Sequence, residues 1–270
     1  MNLIAVANET LRICSDGKYE VSGKDVIFPE GKYDQVEVIT PKMGENLLNE
    51  EAAIPDSAEM CRIVIKNSDS YAAAKEYDNA LVMNFANAHN PGGGFRLGAT
   101  AQEEALCRCS TLYSSITSKE AGEMYKYNNT HLSSVESDYI LITPEVLVFR
   151  DEKMNLLEQP FKTAVITVPA PNRFGAAALA SKAKIEETFI RRIRIILKAA
   201  AKRNYKTLVL GAWGCGAFGN KPEKVAEHFR QVIVDEKLGM FFDEICFAIY
   251  GSEDGKNITA FREVFNQCHL

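Results

Sequence analysis

Strand and helix signals alternate from residue 60 onward and predict a three-layer α/β/α domain around a mixed, mostly parallel sheet. Two further observations support that class. The segments around Ile166 and Val209 have apolar neighbours on both sides, the composition of strands buried on both faces. Two polar, glycine-rich segments follow strand signals, where open α/β sheets place their ligands.

Residues 3–14 carry Leu3, Ile4, Val6, Ala7, Leu11 and Ile13 at a helix-like spacing. Strand signals at 18–21 and 25–28 flank Val21-Ser22-Gly23-Lys24, a hairpin turn. A short strand at 36–39 is ended by Pro41. Residues 1–58 therefore read as a small helix and hairpin extension packed on the domain, with Pro55-Asp56-Ser57 as punctuation; residues 59–270 form the main domain. In that domain, strands are predicted at 61–65, 80–85, 139–142, 146–149, 163–168, 207–210 and 245–250, with Pro144 separating the third from the fourth. Helices are predicted at 70–76, 102–115, 181–203, 222–236 and 257–265.

The chain has 270 residues, 46% of them apolar and 25% charged, enough to bury a sizeable core. Its net charge of −5 excludes a broad basic surface, so direct DNA binding is not expected and any phosphate must be held locally. The seven cysteines form no Cys-x-x-Cys pair, and with four scattered histidines they give no zinc-ligand spacing. Reduced thiols in a cytoplasmic protein, without metal or cofactor, are the expectation. No apolar run approaches the ~20 residues that span a bilayer, so no membrane partner is expected.

Three segments carry the chemistry. Asn87-Ala88-His89-Asn90-Pro91-Gly92-Gly93-Gly94 follows a strand, and its glycines allow positive φ and close backbone approach to a ligand. Seven residues later Gln102-Glu103-Glu104 opens a helix. Acidic residues are also favoured there by the helix dipole, which stabilises carboxylate, whereas a general acid needs a raised pKa. The third segment, Gly211-Ala212-Trp213-Gly214-Cys215-Gly216-Ala217-Phe218-Gly219-Asn220, lies between a strand and a helix started by Pro222. Its backbone N–H groups can wrap a diphosphate, and Gly216 is expected to need positive φ or close backbone approach. The segment also contains Gly-x-Gly-x-x-Gly, but a dinucleotide fold would place an acidic residue ~20 positions on, with more βα units. Glu253 lies 34 residues beyond Gly219, and one helix then remains. That reading fails.

Together these segments resemble the poly(ADP-ribose) glycohydrolase family, whose signature is Gly-Gly-Gly, six to eight residues, then Gln-Glu-Glu. Gly92, Gly93, Gly94, Gln102, Glu103 and Glu104 match it, Phe85-Ala86-Asn87 fits, and the segment from Gly211 to Asn220 resembles the microbial branch. The resemblance implies a macrodomain fold without a metal, and poly(ADP-ribose), ADP-ribose and poly-ADP-ribosylated proteins as partners. It implies that Glu104 is the catalytic acid/base, and that Glu103 and Asn87 hold ribose hydroxyls. Gly92, Gly93 and Gly94 would cover the diphosphate from one side, and Gly214, Cys215, Gly216, Ala217, Phe218 and Gly219 from the other, with Phe218 over the distal ribose. Pro169-Ala170-Pro171-Asn172 either lines the site or simply ends its strand; Asp69 or Ser68 either approaches the adenine or caps a helix. A non-catalytic ADP-ribose reader would need the loops but not Gln102-Glu103-Glu104, so the triplet favours an enzyme. A mono-ADP-ribosyl hydrolase is the remaining alternative.

Overall fold

The computed structural model describes residues 1–51 and 59–266. Pro55-Asp56-Ser57 and the expected boundary at residue 58 lie outside the described residues. The chain opens with α1 (Leu3–Asp16), capped by Asn2 Oδ1, and Gly17 ends it in the left-handed region. β1 (Lys18–Val21) and β2 (Lys24–Ile27) pair as a separate hairpin. Then come β3 (Glu37–Ile39), α2 (Pro41–Asn49), β4 (Arg62–Lys66), α3 (Ser70–Ala74), β5 (Ala80–Ala86), α4 (Gln102–Cys109), α5 (Leu112–Ile116) and α6 (Gly122–Thr130). β6 (Ile140–Arg150), β7 (Leu156–Pro169), α7 (Lys182–Lys202), β8 (Thr207–Leu210), α8 (Pro222–Arg230), β9 (Glu244–Ala248) and α9 (Lys256–Asn266) complete the order.

Seven strands form the central sheet in the order β3-β6-β7-β5-β8-β9-β4. β7, β5, β8, β9 and β4 run parallel, and β6 is antiparallel to both its neighbours. The sheet is therefore mixed and mostly parallel, with a hydrophobic cluster on each face. One cluster includes Ile166, Ile196 and Phe229 beneath α7 and α8; the other includes Val82, Leu106 and Leu112 beneath α4 and α5. Burial of β9 on both faces accounts for its apolar run from Ile245 to Ala248.

Five elements differ from the sequence reading. The helix expected over 102–115 breaks at Ser110, whose backbone is extended and bridges Val148. The two strands expected around Pro144 are one strand, β6, which absorbs the proline at a register shift between Thr143 and Val146. The helix expected over 222–236 finishes as a π turn over Gln231–Asp235. Helices α2 and α6 were not anticipated, although Thr40-Pro41 supplies a start signal that the structure uses: Thr40 Oγ1 accepts from Met43 N–H at 3.3 Å.

A buried arginine fixes the end of β7. Arg192 of α7 is fully buried and donates to Pro169 O at 2.8 Å, Ser137 O at 2.8 Å, Asp138 Oδ1 at 2.8 Å and Val135 O at 2.5 Å. It thus holds the chain leaving β7 against the segment entering β6. Replacing it by leucine removes the donor to three carbonyl oxygens and leaves Asp138 paired with Arg191 alone. Arg192→Leu is expected to lower unfolding free energy by about 3–5 kcal/mol, from buried acceptors left unsatisfied, measured by urea denaturation.

Candidate active site

The parallel strands β5 and β8 end on the same side of the sheet, and their following loops carry the two glycine segments. α4 starts beside the end of β5 because Gln102 ties the two together. Its Oε1 accepts from Phe85 N–H at 2.9 Å, while Nε2 donates to Met83 O at 2.7 Å and Ser70 Oγ at 3.0 Å. This side chain was expected to bind substrate; the structure commits its polar atoms to β5 and α3.

Glu103 and Glu104 follow, 3% and 7% exposed. Glu103 Oε2 accepts from Asn87 N–H at 2.8 Å, and Oε1 from Gly92 N–H at 3.3 Å and Asn84 Nδ2 at 3.4 Å. Asn84, fully buried in β5, also donates to Thr167 Oγ1 of β7 at 3.2 Å. Burial pushes the Glu103 carboxyl up to about 8; the amide hydrogen bonds oppose this and the Glu104 charge adds to it. For Glu103, burial outweighs the helix terminus.

Glu104 Oε1 accepts from Gly94 N–H at 2.9 Å, and its Oε2 is buried with no hydrogen-bond partner among the described residues. The close fit depends on Gly93. At φ +54°, a Cβ there would stand 2.4 Å from Glu104 Oε1. The first glycine loop thus presents two N–H groups to the carboxylates, an arrangement unlike the diphosphate cover expected of it. Arg108, on the next turn of α4 and 1% exposed, clamps the loop's far end by donating to Phe95 O at 3.2 Å and to Ala99 O.

The second loop is braced from within. Trp213 is fully buried and donates Nε1–H to Val168 O at 3.1 Å; Asn220 Nδ2 donates to Pro171 O at 2.8 Å and Gly214 O at 3.0 Å. Arg173 N–H donates to Phe218 O at 3.0 Å, so the loops after β7 and β8 are joined. Cys215 turns inward, with burial pushing its thiol up to about 12. The N–H groups of Gly216, Ala217 and Phe218 have no protein acceptor among the described residues. Gly216 does not have the positive φ expected of it, and a Cβ there meets no protein atom within 4 Å. The positions in this loop that require glycine are Gly214, at φ +74°, and Gly219, at φ +68°, where a Cβ would lie 2.5 Å from the Phe174 ring.

Between the second loop and the start of α4 lies a cavity of about 460 Å³. It extends from Ser68 and Asp69 beyond β4, past Gln102, to Gly214, Gly216 and Phe218. Ala212, Gly214, Gly216, Ala217, Phe218 and Gln102 are thus brought together at one cleft, Cys215 and Gly219 are not among its lining, and Glu103 and Glu104 are packed beside it with the first glycine loop. Asp69 both borders the cavity and caps α3, accepting from Tyr71 and Ala72 N–H. Phe218 packs partly against the core. Asn84 and Arg108 escaped the sequence reading. A buried asparagine inside an apolar strand was the available signal for the first; nothing distinguished the second.

A family model described as microbial-type PARG, catalytic domain, matches residues 7–151. Poly(ADP-ribose) glycohydrolase from Thermomonospora curvata is 34% identical, over 97% of this chain and 99% of that one, with a TM-score of 0.90. The same enzyme bound to the inhibitor ADP-HPD superposes with a TM-score of 0.85 at 33% identity, over 97% and 98%. The Deinococcus radiodurans enzyme in complex with ADP-ribose gives 0.78 at 33% identity, over 87% of this chain and 95% of that one. No curated protein matches the sequence. Among the described residues, no helix is long and apolar enough to cross a membrane. With a family model spanning more than half its length and solved relatives matching nearly all of it, the chain belongs to the microbial-type poly(ADP-ribose) glycohydrolases.

Proposed function

We propose that the chain hydrolyses the ribose–ribose O-glycosidic bonds of poly(ADP-ribose) and releases ADP-ribose, with Glu104 as acid and then base. The observation that carries this is the setting of Glu104: one oxygen fixed by Gly94 N–H, the other buried and unpartnered among the described residues. Such a carboxyl has a defined direction in which to give and take a proton. Glu104 donates its proton to the leaving ribose 2′-oxygen as the bond to the anomeric carbon breaks, through an oxocarbenium-like transition state. Negative charge of the bound diphosphate offsets the positive charge on that carbon. Water then adds to the anomeric carbon, and Glu104 takes up the proton that the water loses.

Around this step, Asn87 and Glu103 hold ribose hydroxyls; a protonated Glu103 donates one hydrogen bond while accepting those of the backbone. The N–H groups of Gly216, Ala217 and Phe218, near the start of α8, bind the diphosphate. Gly214, Cys215 and Gly219 shape that loop, and Gln102 positions the carboxylates. Phe218 covers the distal ribose. Gly92, Gly93 and Gly94 orient the acids and border the diphosphate. Poly-ADP-ribosylated proteins are the polymer's carriers in this reading. The free thiols fit a cytoplasmic setting.

Three experiments test these roles. Glu104→Gln is expected to slow polymer hydrolysis at least ~10²-fold while ADP-ribose binding persists; a near wild-type rate would reject Glu104. Gly93→Ala pushes a methyl group into Glu104 and is expected to cost roughly 10²-fold in kcat by misplacing the acid, read from steady-state kinetics. The third concerns pH. Glu103, raised to about 8 in the fold from an ordinary 4.5, keeps a proton that the unfolded chain has released between those values. Its contribution to stability is therefore full below pH 4.5 and is lost as pH rises through 8. Glu103→Gln should flatten the fall in urea midpoint between pH 5 and pH 8.

A further inference from the structure

Glu103 is linked through Asn84 to Thr167, and the register sets Ala86 opposite Pro169. Asn87 and Ala170 therefore leave the sheet side by side. The chain leaving β7 at Ala170 starts next to the bond-breaking corner, on the side of β5 away from Asp69 and the β4 edge, and runs to Phe218 and Gly219 of the loop after β8.

That loop is held in place. Pro171 O accepts from Asn220, Arg173 N–H donates to Phe218 O, and Phe174 N–H donates to Asn172 Oδ1 at 3.1 Å. On it stand two side chains with no structural employment. Phe174 is 79% exposed, its ring resting on Gly219, where the absence of a side chain leaves it room. A large ring seated on backbone and open to water is a stacking platform. Arg173 is also exposed, and among the described residues its guanidinium has no carboxylate partner, unlike Arg191, Arg192 and Arg194. An aromatic face beside an unpaired guanidinium is suited to a nucleotide: the ring for a purine, the cation for a phosphate.

We propose that Arg173 and Phe174 form a subsite for the leaving side of the polymer, holding the purine and phosphate of the ADP-ribose unit that follows the scissile bond. The proposal rests on the hydrolase reading above, because only a substrate longer than ADP-ribose reaches beyond the carboxylates.

The test compares wild type, Arg173→Ala, Phe174→Ala and Phe174→Trp. KM and kcat are measured on poly(ADP-ribose), and ADP-ribose affinity is measured by calorimetry. Each alanine variant is expected to raise KM for polymer about tenfold, with kcat little changed. Phe174→Trp should restore the wild-type KM. ADP-ribose affinity should stay within about twofold for all three, since each 1.4 kcal/mol would move it tenfold; this also shows that the variants are folded. An unchanged KM in both alanine variants overturns the subsite. A parallel loss of ADP-ribose affinity also overturns it, by assigning the two residues to the terminal unit. Wild-type protein that binds ADP-ribose but leaves polymer intact overturns the hydrolase reading itself, and the subsite with it.

Discussion

The arrangement rests on backbone N–H groups reaching two carboxyls at the start of α4. Gly94 N–H fixes Glu104, while Asn87 and Gly92 N–H fix Glu103. At Gly93 the loop passes closer to the helix than a side chain would allow. The loop is in turn held by Arg108 from the helix it covers, and the helix by Gln102 from the strand it leaves. Strand, loop and helix form a closed circuit of hydrogen bonds. Within it the acids have little freedom, which is what proton transfer at a defined atom requires.

The same economy suits an acidic chain. With a net charge of −5, attraction for an anionic polymer has to come from oriented dipoles and a few placed cations. The loop after β8 has three N–H groups without protein acceptors among the described residues, and its shape is set by the buried Trp213 and Asn220. Fixed dipoles of this kind cost little reorganisation when an anion arrives. They also leave the net charge of the chain negative, which disfavours non-specific retention of nucleic acid.

Much of the fold was legible because burial writes itself into composition. β5, β8 and β9 are apolar on both faces, and Ser181 and Pro222 mark helix starts. What the sequence hid were features decided by distant partners. Ser110 ends α4 because it bridges Val148 of β6, which no local signal records. Pro144 looked like a break because a proline usually is one, and β6 tolerates it at a bulge. At the site, the spacing of Gly92, Gly93 and Gly94 from Glu103 and Glu104 pointed to one corner of the molecule. It did not say that the glycine amides would be aimed at the acids, because amide direction depends on φ and ψ at Gly92 and Gly93, both positive. Asn84 and Arg108 act entirely through tertiary contacts, so their roles became visible only in the fold.

The sheet order has a consequence for how the chain comes into being. β9 lies between β8 and β4, so β4 has its only sheet neighbour, among the described residues, in a strand near the other end of the chain. Val64 waits for Cys246, about 180 residues later, or roughly 10–40 s at 5–20 residues per second on a ribosome. During that interval Ile63, Val64 and Ile65 form an apolar strand without its partner. The flanking Arg62 and Lys66, both charged, then protect the nascent edge against pairing with other chains.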